Sequence, residues 1–344
     1  MIDQPLVQDS KEAKAGFLDP GEARSRLLEQ QYVCDRRVST VVFLAERMNK
    51  PVLVEGPAGV GKTELGKALA AALDRELIRL QCYEGLDEAK ALYEWEYGKQ
   101  LLYTHILQER VGLLLQEAPG LAEAAELLRA HEDIFFSEDF LVERPILRAA
   151  RSEQPVVLLI DEIDRADEEF EAFLLEFLSD YQVTIPEIGT LVAKSLPVTI
   201  LTSNRTRELS EALKRRCLHL QLDYPTPEVE LDIMRRKAPD VTESLARELV
   251  NVVQSLRTID LRKPPSTSET LDWVQALVVL NAPELTSELI EETISVLIKH
   301  DSDYAKALSH LGIGKQKSAA SSLTHSHGSH HDKPLWGSMG SQGH

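Results

Sequence analysis

The segment Gly56-Pro57-Ala58-Gly59-Val60-Gly61-Lys62-Thr63 satisfies G-x-x-x-x-G-K-[ST] at every fixed position. That pattern suits an anion. Glycines let backbone N–H groups turn toward phosphate oxygens, a helix N-terminus adds positive potential, Lys62 reaches the outer phosphates, and Thr63 offers a hydroxyl to magnesium. Further along, the apolar run Val156 to Ile160 ends in Asp161 and Glu162. Paired acids at the end of a buried strand suit a division of labour, the first holding magnesium and the second orienting or deprotonating an attacking water. The nearby Asp164, Asp167, Glu168 and Glu169 read as solvated residues at a helix start, with Asp167 as its N-cap. Another apolar run ends in Leu201-Thr202-Ser203-Asn204, which makes Asn204 a candidate to position that water or sense the outermost phosphate. An Asn at a strand end is otherwise a turn residue, and the paired acids shift the weight toward chemistry. Arg215 and Arg216 close the stretch Glu211 to Cys217. Arginines there can stabilise transition-state charge on a nucleotide held by an adjacent subunit, or simply sit well as cations at a helix C-terminus.

These residues must be carried by strands with helices between them. The strand candidates are PVLVEG at 51–56, ELIRLQC at 76–82, PVVLLIDE at 155–162, LPVTILTSN at 196–204 and LHLQL at 218–222. Runs this apolar fit a parallel sheet covered on both faces, so the fold class is α/β, a P-loop parallel five-stranded sheet flanked by helices. From Arg24 to Met48 the apolar spacing reads as one helix leading into the first strand. Phe170, Phe173, Leu174, Phe177 and Leu178 fall at i, i+3, i+4, i+7 and i+8, an amphipathic helix between the third and fourth strands. After Pro225 and Pro227 only helices follow, near 227–238, 242–257, 268–281 and 285–300, as a smaller all-helical lid. The expected division is an N-terminal arm over 1–25, a nucleotide-binding domain over 26–225, the lid over 226–305 and a disordered His-rich tail over 306–344.

The chain has 344 residues, 43% apolar and 27% charged, and no apolar run of the roughly 20 residues a membrane span needs. Its start, MIDQPLVQDSKEAK, lacks the basic and apolar stretches of a secretory signal, so a cytoplasmic location is expected. Cys34, Cys82 and Cys217 are too few and too far apart for a disulfide framework or a zinc knuckle. Net charge is −18, and the densest short basic cluster is Lys214 to Arg216, so nucleic acid is disfavoured as a partner. His325, His327, His330, His331 and His344 in the tail suit opportunistic metal binding better than a dedicated site.

Taken together, GPAGVGKT, VVLLIDEIDRA, LTSN, the Arg215-Arg216-Cys217 segment and the helical module resemble the AAA+ ATPases over about 30–305, and within them the MoxR branch. QCYEGLDEAKALYEWEYGKQLLY, DEIDRADEEFEAFLLEFLSD and RKPPSTSETLDW are similar to the accessory ATPases of carbon monoxide dehydrogenase and related molybdenum hydroxylases. The resemblance implies ATP and magnesium as cofactors and a homo-oligomeric ring, usually a hexamer. It also implies a von Willebrand factor A partner protein and a chaperone that remodels or matures a metalloenzyme client. On this sequence it makes Gly56, Pro57, Ala58, Gly59, Val60, Gly61, Lys62 and Thr63 the Walker A loop and Asp161 and Glu162 the Walker B acids. Asn204 becomes sensor 1 and Arg216 the arginine finger, with Arg215 as fallback. One departure stands out: where relatives often carry a sensor 2 arginine, the chain reads Pro265-Ser266-Thr267-Ser268-Glu269, and neither Arg262 nor Lys263 is in register.

Two segments resemble insertions of that branch. In 91–106, Tyr93, Trp95 and Tyr97 alternate before Gly98-Lys99, which suits a two-residue hairpin with an aromatic contact face or, alternatively, an amphipathic helix. The other, 182–194, is similar to the hairpin that precedes sensor 1. Two competing functions remain beside an ATP-driven chaperone: a nucleotide-dependent assembly module with little turnover, and a nucleic-acid-remodelling motor, which the acidic charge disfavours.

Overall fold

The computed structural model describes residues 16–103, 105, 140–186 and 188–313. The chain begins with two helices where the apolar spacing suggests one. Helix α1 (Pro20–Glu29) starts at Asp19, whose carboxylate accepts from the N–H groups of Gly21 and Glu22. Helix α2 (Arg36–Met48) starts at Asp35, which accepts from Val38. Each aspartate satisfies N–H groups that a helix start leaves without partners. Gln31, at φ 59°, turns the chain between them. The periodicity misleads because Leu27 of α1 and Val38 and Val42 of α2 enter the same core from different helices. Phe17 is fully buried beside Ala23 and Leu27, so the expected arm sends Phe17 and Ala23 into the core while Leu18 stays exposed.

There follow β1 (Val52–Glu55), α3 (Lys62–Leu73), β2 (Leu77–Gln81), α4 (Glu88–Leu92), β3 (Tyr93–Trp95), β4 (Leu141–Glu143), α5 (Pro145–Arg151) and β5 (Val157–Asp161). A short 3-10 turn (Ile163–Arg165) leads into α6 (Glu168–Asp180), β6 (Gln182–Ile185), β7 (Gly189–Val192), β8 (Val198–Ser203), α7 (Glu211–Arg216) and β9 (Leu218–Gln221). Five strands form one parallel sheet in the order β2-β5-β8-β1-β9. Every residue of β1, β5 and β8 is buried, which is what a sheet covered on both faces demands. Alternate side chains feed two cores: Leu158 and Ile160 pack with Phe170, Leu174 and Phe177 of α6, whereas Val157 and Leu159 pack with Leu65 and Leu69 of α3.

Of the two readings of this segment, the helix and not the Gly98-Lys99 hairpin is formed after Glu96. Strand β3 pairs antiparallel with β4, and residues 97–103 are helical, with the N–H groups of Lys99 and Gln100 both donating to the Glu96 carbonyl. A strand this short takes its partner from Leu141–Glu143, and the local helical turn wins over the Gly-Lys reversal. Tyr93 and Trp95 keep one face, their rings edge to face at 5.9 Å, while Tyr97 departs on the helix, 67% exposed. Thr104 and Ile106 of that segment lie outside the described residues. The second insertion is a hairpin, β6 pairing antiparallel with β7 from Gln182↔Val192 to Ile185↔Gly189.

Beyond Pro227 the described chain is helical: α8 (Pro227–Lys237), α9 (Glu243–Leu256), α10 (Thr267–Val279), α11 (Ser287–Thr293) with a 3-10 turn (Ile294–Val296), and α12 (Asp301–His310). They close on a core of their own around Leu249, Val253, Trp273 and Leu277, in which the Trp273 indole donates to the Thr293 hydroxyl at 2.8 Å. The helix expected over 285–300 stops early. A further helix, α12, carries the chain past residue 306, and Ile313 still packs in this core, so ordered structure runs into the span expected to be tail. Residues 314–344, with the tail histidines, lie outside the described residues. Among the described residues no helix is long and apolar enough to cross a membrane.

Candidate functional site

The carboxyl ends of four neighbouring strands converge. Ligands of open parallel sheets bind at this edge, because the loops that leave it point away from the packed faces. Strand β1 runs into the loop Gly56 to Gly61 and then α3, whose first residues are Lys62 and Thr63. Gly61 stands immediately before the helix at φ 97°, a conformation that costs side-chain-bearing residues and not glycine. Strand β5 ends at Asp161, β8 at Ser203 with Asn204 next, and β2 at Gln81, whose Cα partner across the sheet is Asp161.

Lys62 Nζ donates to the carbonyls of Gly56 (2.8 Å) and Pro57 (2.7 Å) and to Asn204 Oδ1 (2.7 Å), so it holds the loop and touches the end of β8. Burial holds its ammonium below the usual lysine range, against the opposing pull of the Asp164, Asp161 and Glu162 carboxylates. Thr63 Oγ1 donates to Asp161 Oδ1 at 2.8 Å, and Thr202 Oγ1 donates to the same oxygen at 2.6 Å. Glu162 sits at φ 58°, in the left-handed region, and its own N–H donates to Thr202 Oγ1 at 2.9 Å. A non-glycine residue held there stores strain, which structures keep chiefly where a side chain must be aimed. The Glu162 carboxylate accepts from Asn204 Nδ2 (3.3 Å), Gln81 Nε2 (3.1 Å) and Arg165 Nε (2.8 Å). Lys62, Thr63, Asp161, Glu162 and Asn204 therefore meet, around a cavity of about 250 Å³ also lined by Ala58, Gly59, Gly61 and Ser268. A second cavity of about 250 Å³ adjoins it across Gly59 and Gly61, with Tyr32, Val33, Val60, Ile233 and Leu271 as its apolar walls.

Arg215 and Arg216 do not join this cluster. They end α7, exposed, and among the described residues neither makes an ion pair or a side-chain hydrogen bond. At the lid, Lys263 Nζ is engaged by Glu269 at 2.6 Å. The residues that approach the loop are serines at the start of α10. The N–H and hydroxyl of Ser268 donate to the Gly59 carbonyl at 3.2 and 3.3 Å, and Ser266 and Glu269 form a capping box behind it.

Sequence reasoning misplaces Asp164 and overlooks Arg79, Gln81 and Ser268. Asp164 is not a solvated helix-start residue: it is 3% exposed and accepts from the N–H groups of Asn204 (3.1 Å) and Thr206 (2.9 Å) and from the Thr206 hydroxyl (2.6 Å). Burial pushes its carboxyl up, the Thr206 hydroxyl and those N–H groups pull it down, and the balance lies below the usual aspartate range. Arg79 and Gln81 carry a readable signal, polar residues at alternate positions of an otherwise apolar strand, which places both on one face. The cysteines stay out of the chemistry: burial pushes the thiol of Cys34 up to about 11 and those of Cys82 and Cys217 up to about 12.

Residues 52–224 match the family model of the ATPase family associated with various cellular activities, AAA. An uncharacterized protein of Staphylococcus haemolyticus is 24% identical over 263 residues, covering 74% of this chain and 86% of that protein. An uncharacterized protein of Staphylococcus aureus is 25% identical over 241 residues, 68% of this chain and 77% of its own length. Among solved structures, the Thermotoga maritima RuvB Holliday junction branch migration motor is 18% identical, with a TM-score of 0.42 over 80% of this chain and 69% of that chain.

Proposed function

This chain belongs to the AAA family of ATPases, and on that premise we propose that it binds ATP with magnesium and hydrolyses it to ADP and phosphate. One observation carries the reading: adjacent strand ends gather Lys62, Thr63, Asp161, Glu162 and Asn204 within hydrogen-bonding reach around one cavity. The loop Gly56 to Thr63 takes the phosphates, and the apolar cavity bounded by Tyr32, Val33, Ile233 and Leu271 takes the nucleoside. Thr63 and Asp161 present hard oxygen donors 2.8 Å apart, a donor set that fits magnesium. The metal, when bound, neutralises charge on the phosphates. Glu162 accepts the proton of the attacking water. Asn204, bonded through its amide nitrogen to Glu162 and through its oxygen to Lys62, ties the base to the cation on the outer phosphate.

Release of phosphate by the purified chain and by Glu162→Gln tests this. General base removal is expected to slow turnover by about a hundredfold or more. Equal background rates in both would sink the ATPase reading.

The finer role follows the MoxR resemblance: a ring, hexameric as in that branch, that remodels or matures a metalloenzyme client with a von Willebrand factor A partner. The proposed division is a nucleotide-binding domain over 26–225 and a lid over 226–305. The exposure of Arg216 supports its use in trans, on a nucleotide held by the neighbouring subunit. A pulldown with Glu162→Gln is expected to retain a von Willebrand protein or a molybdenum hydroxylase, and recovery of neither counts against this role. Ser266 to Ser268, standing where relatives often carry an arginine, favour a second reading, an assembly module that binds ATP with little turnover. The phosphate-release assay separates the two.

A further inference from the structure

Asp161 is 2% exposed, and a carboxylate so enclosed needs a counter-charge as well as donors. Lys62 acts on Asp161 only through space, since its hydrogen bonds go to the Gly56 and Pro57 carbonyls and to Asn204. The counter-charge comes from β2. Arg79 donates to Asp161 Oδ2 through Nη2 at 2.5 Å and Nε at 3.1 Å, and among the described residues it is the one ion-pair partner of Asp161. With Thr63 and Thr202 on the carboxylate as well, Asp161 is fully satisfied by the protein itself. Magnesium asks for the same carboxylate, and two cations sharing it in a partly dry site repel strongly.

We propose that Arg79 is a competitor built into the magnesium site, neutralising Asp161 until nucleotide brings the metal and then giving way. It is a positioning residue, acting through Asp161, and the proposal rests on the ATPase reading above. Arg79 is built to leave. It stands on β2, an edge strand of the five-stranded sheet, with a side chain 46% exposed. Its strand alternates inward Ile78 and Leu80 with outward Arg79 and Gln81, and among the described residues the guanidinium is anchored by Asp161 and by Gln81 Oε1, at 2.5 Å. It also borders an open groove of about 870 Å³ lined by Tyr83, Tyr93, Glu94 and Tyr97. Aromatic faces are good resting places for a displaced guanidinium, while the Glu94 carboxylate is already engaged by Arg144. The consequence is a raised magnesium requirement set by the chain itself: nucleotide binds tightly only where the metal outcompetes Arg79.

The test is a magnesium titration of the full chain at fixed mant-ATP, followed by fluorescence, for wild type, Arg79→Gln and Arg79→Ala. Both variants are expected to lower the half-saturating magnesium concentration by about tenfold, the worth of a charge-assisted hydrogen bond, with mant-ATP affinity in EDTA unchanged. Half-saturation that stays the same or rises overturns the proposal. A parallel loss of affinity with and without metal also overturns it, because that pattern belongs to a structural or phosphate-contacting arginine. If Arg79→Ala does not fold, Arg79→Lys keeps the charge without the two-nitrogen grip and is expected to shift half-saturation in the same direction by less; no shift counts against the proposal. Manganese binding read by electron paramagnetic resonance should give the same order without turnover. A wild-type chain that binds no nucleotide at any magnesium concentration removes the ATPase reading instead, a result distinct from an unchanged half-saturation.

Discussion

Two buried carboxylates of this chain are each answered by an arginine, in different ways. Glu230, on α8, takes both terminal nitrogens of Arg257 at 2.7 Å and accepts further from Gln254 (2.8 Å) and Thr270 (3.2 Å). Arg257 is nearly enclosed, its Nε donating to the Pro265 carbonyl and its face resting on the Tyr224 ring. Asp161 receives Arg79 on a single oxygen, from a side chain half in solvent. The first arrangement is closed: donors and acceptors are matched inside the protein. The second is open, because its counter-ion can be exchanged for another cation. Burial of charge marks neither stability nor function alone; the freedom of the counter-ion separates them.

The largest expected effect tests the closed pair. Arg257→Ala leaves Glu230 charged and unpaired beneath α8, α9 and α10, at a cost of about 3–5 kcal/mol. Arg79→Ala should cost only about 1–2 kcal/mol, since Thr63 and Thr202 stay on Asp161 and water replaces the guanidinium. Urea unfolding of both variants without nucleotide checks the difference. Equal losses would erase the distinction between fixture and gate.

The closed network also steadies the helix that reaches the open site. Arg257 and Thr270 fix the start of α10, and from that start Ser268 bonds the Gly59 carbonyl. Gly59 has φ +75°, and a Cβ there would stand 2.3 Å from Ser266 Oγ. Gly59→Ala is therefore expected to push α10 off the loop, costing about 1–3 kcal/mol of stability and a comparable free energy of nucleotide binding. Thermal unfolding and a nucleotide titration check it. Unchanged affinity would mean that α10 leans on the loop without belonging to the site.

Much of this arrangement was legible in residue types. The five strands stand out because a sheet covered on both faces needs uninterrupted apolar runs, and Lys62, Asp161 and Asn204 are found from where those runs stop. What stayed hidden depends on contacts far apart in sequence. Arg79 meets Asp161 across 82 residues, Ser268 meets Gly59 across 209, and spacing within one segment reports neither. Local signals also misled where two elements share a core, as at the break between α1 and α2, and where a strand found its partner beyond the segment, as β3 did with β4.

Asp164 marks a third way of holding a buried carboxylate, with no arginine bonded to it among the described residues. Its partners are two backbone N–H groups and the Thr206 hydroxyl, so it organises the turn after β8 and thereby the backbone of Asn204. Its carboxyl lies below the ordinary aspartate value of 3.8, so its contribution to stability is complete above that value and is lost as pH falls through the lower, folded-state value. Asp164→Asn keeps the shape but replaces an acceptor oxygen with a donor facing N–H groups, at a cost of about 1–2 kcal/mol near neutral pH. The gap between wild type and variant should narrow on acidification below 3.8, as wild-type Asp164 takes up its proton. Urea midpoints at pH 7 and at acid pH measure the gap. If it stays constant, the ionised form of Asp164 is not what holds the turn. Asp164 would then join the closed pair as a fixture of shape.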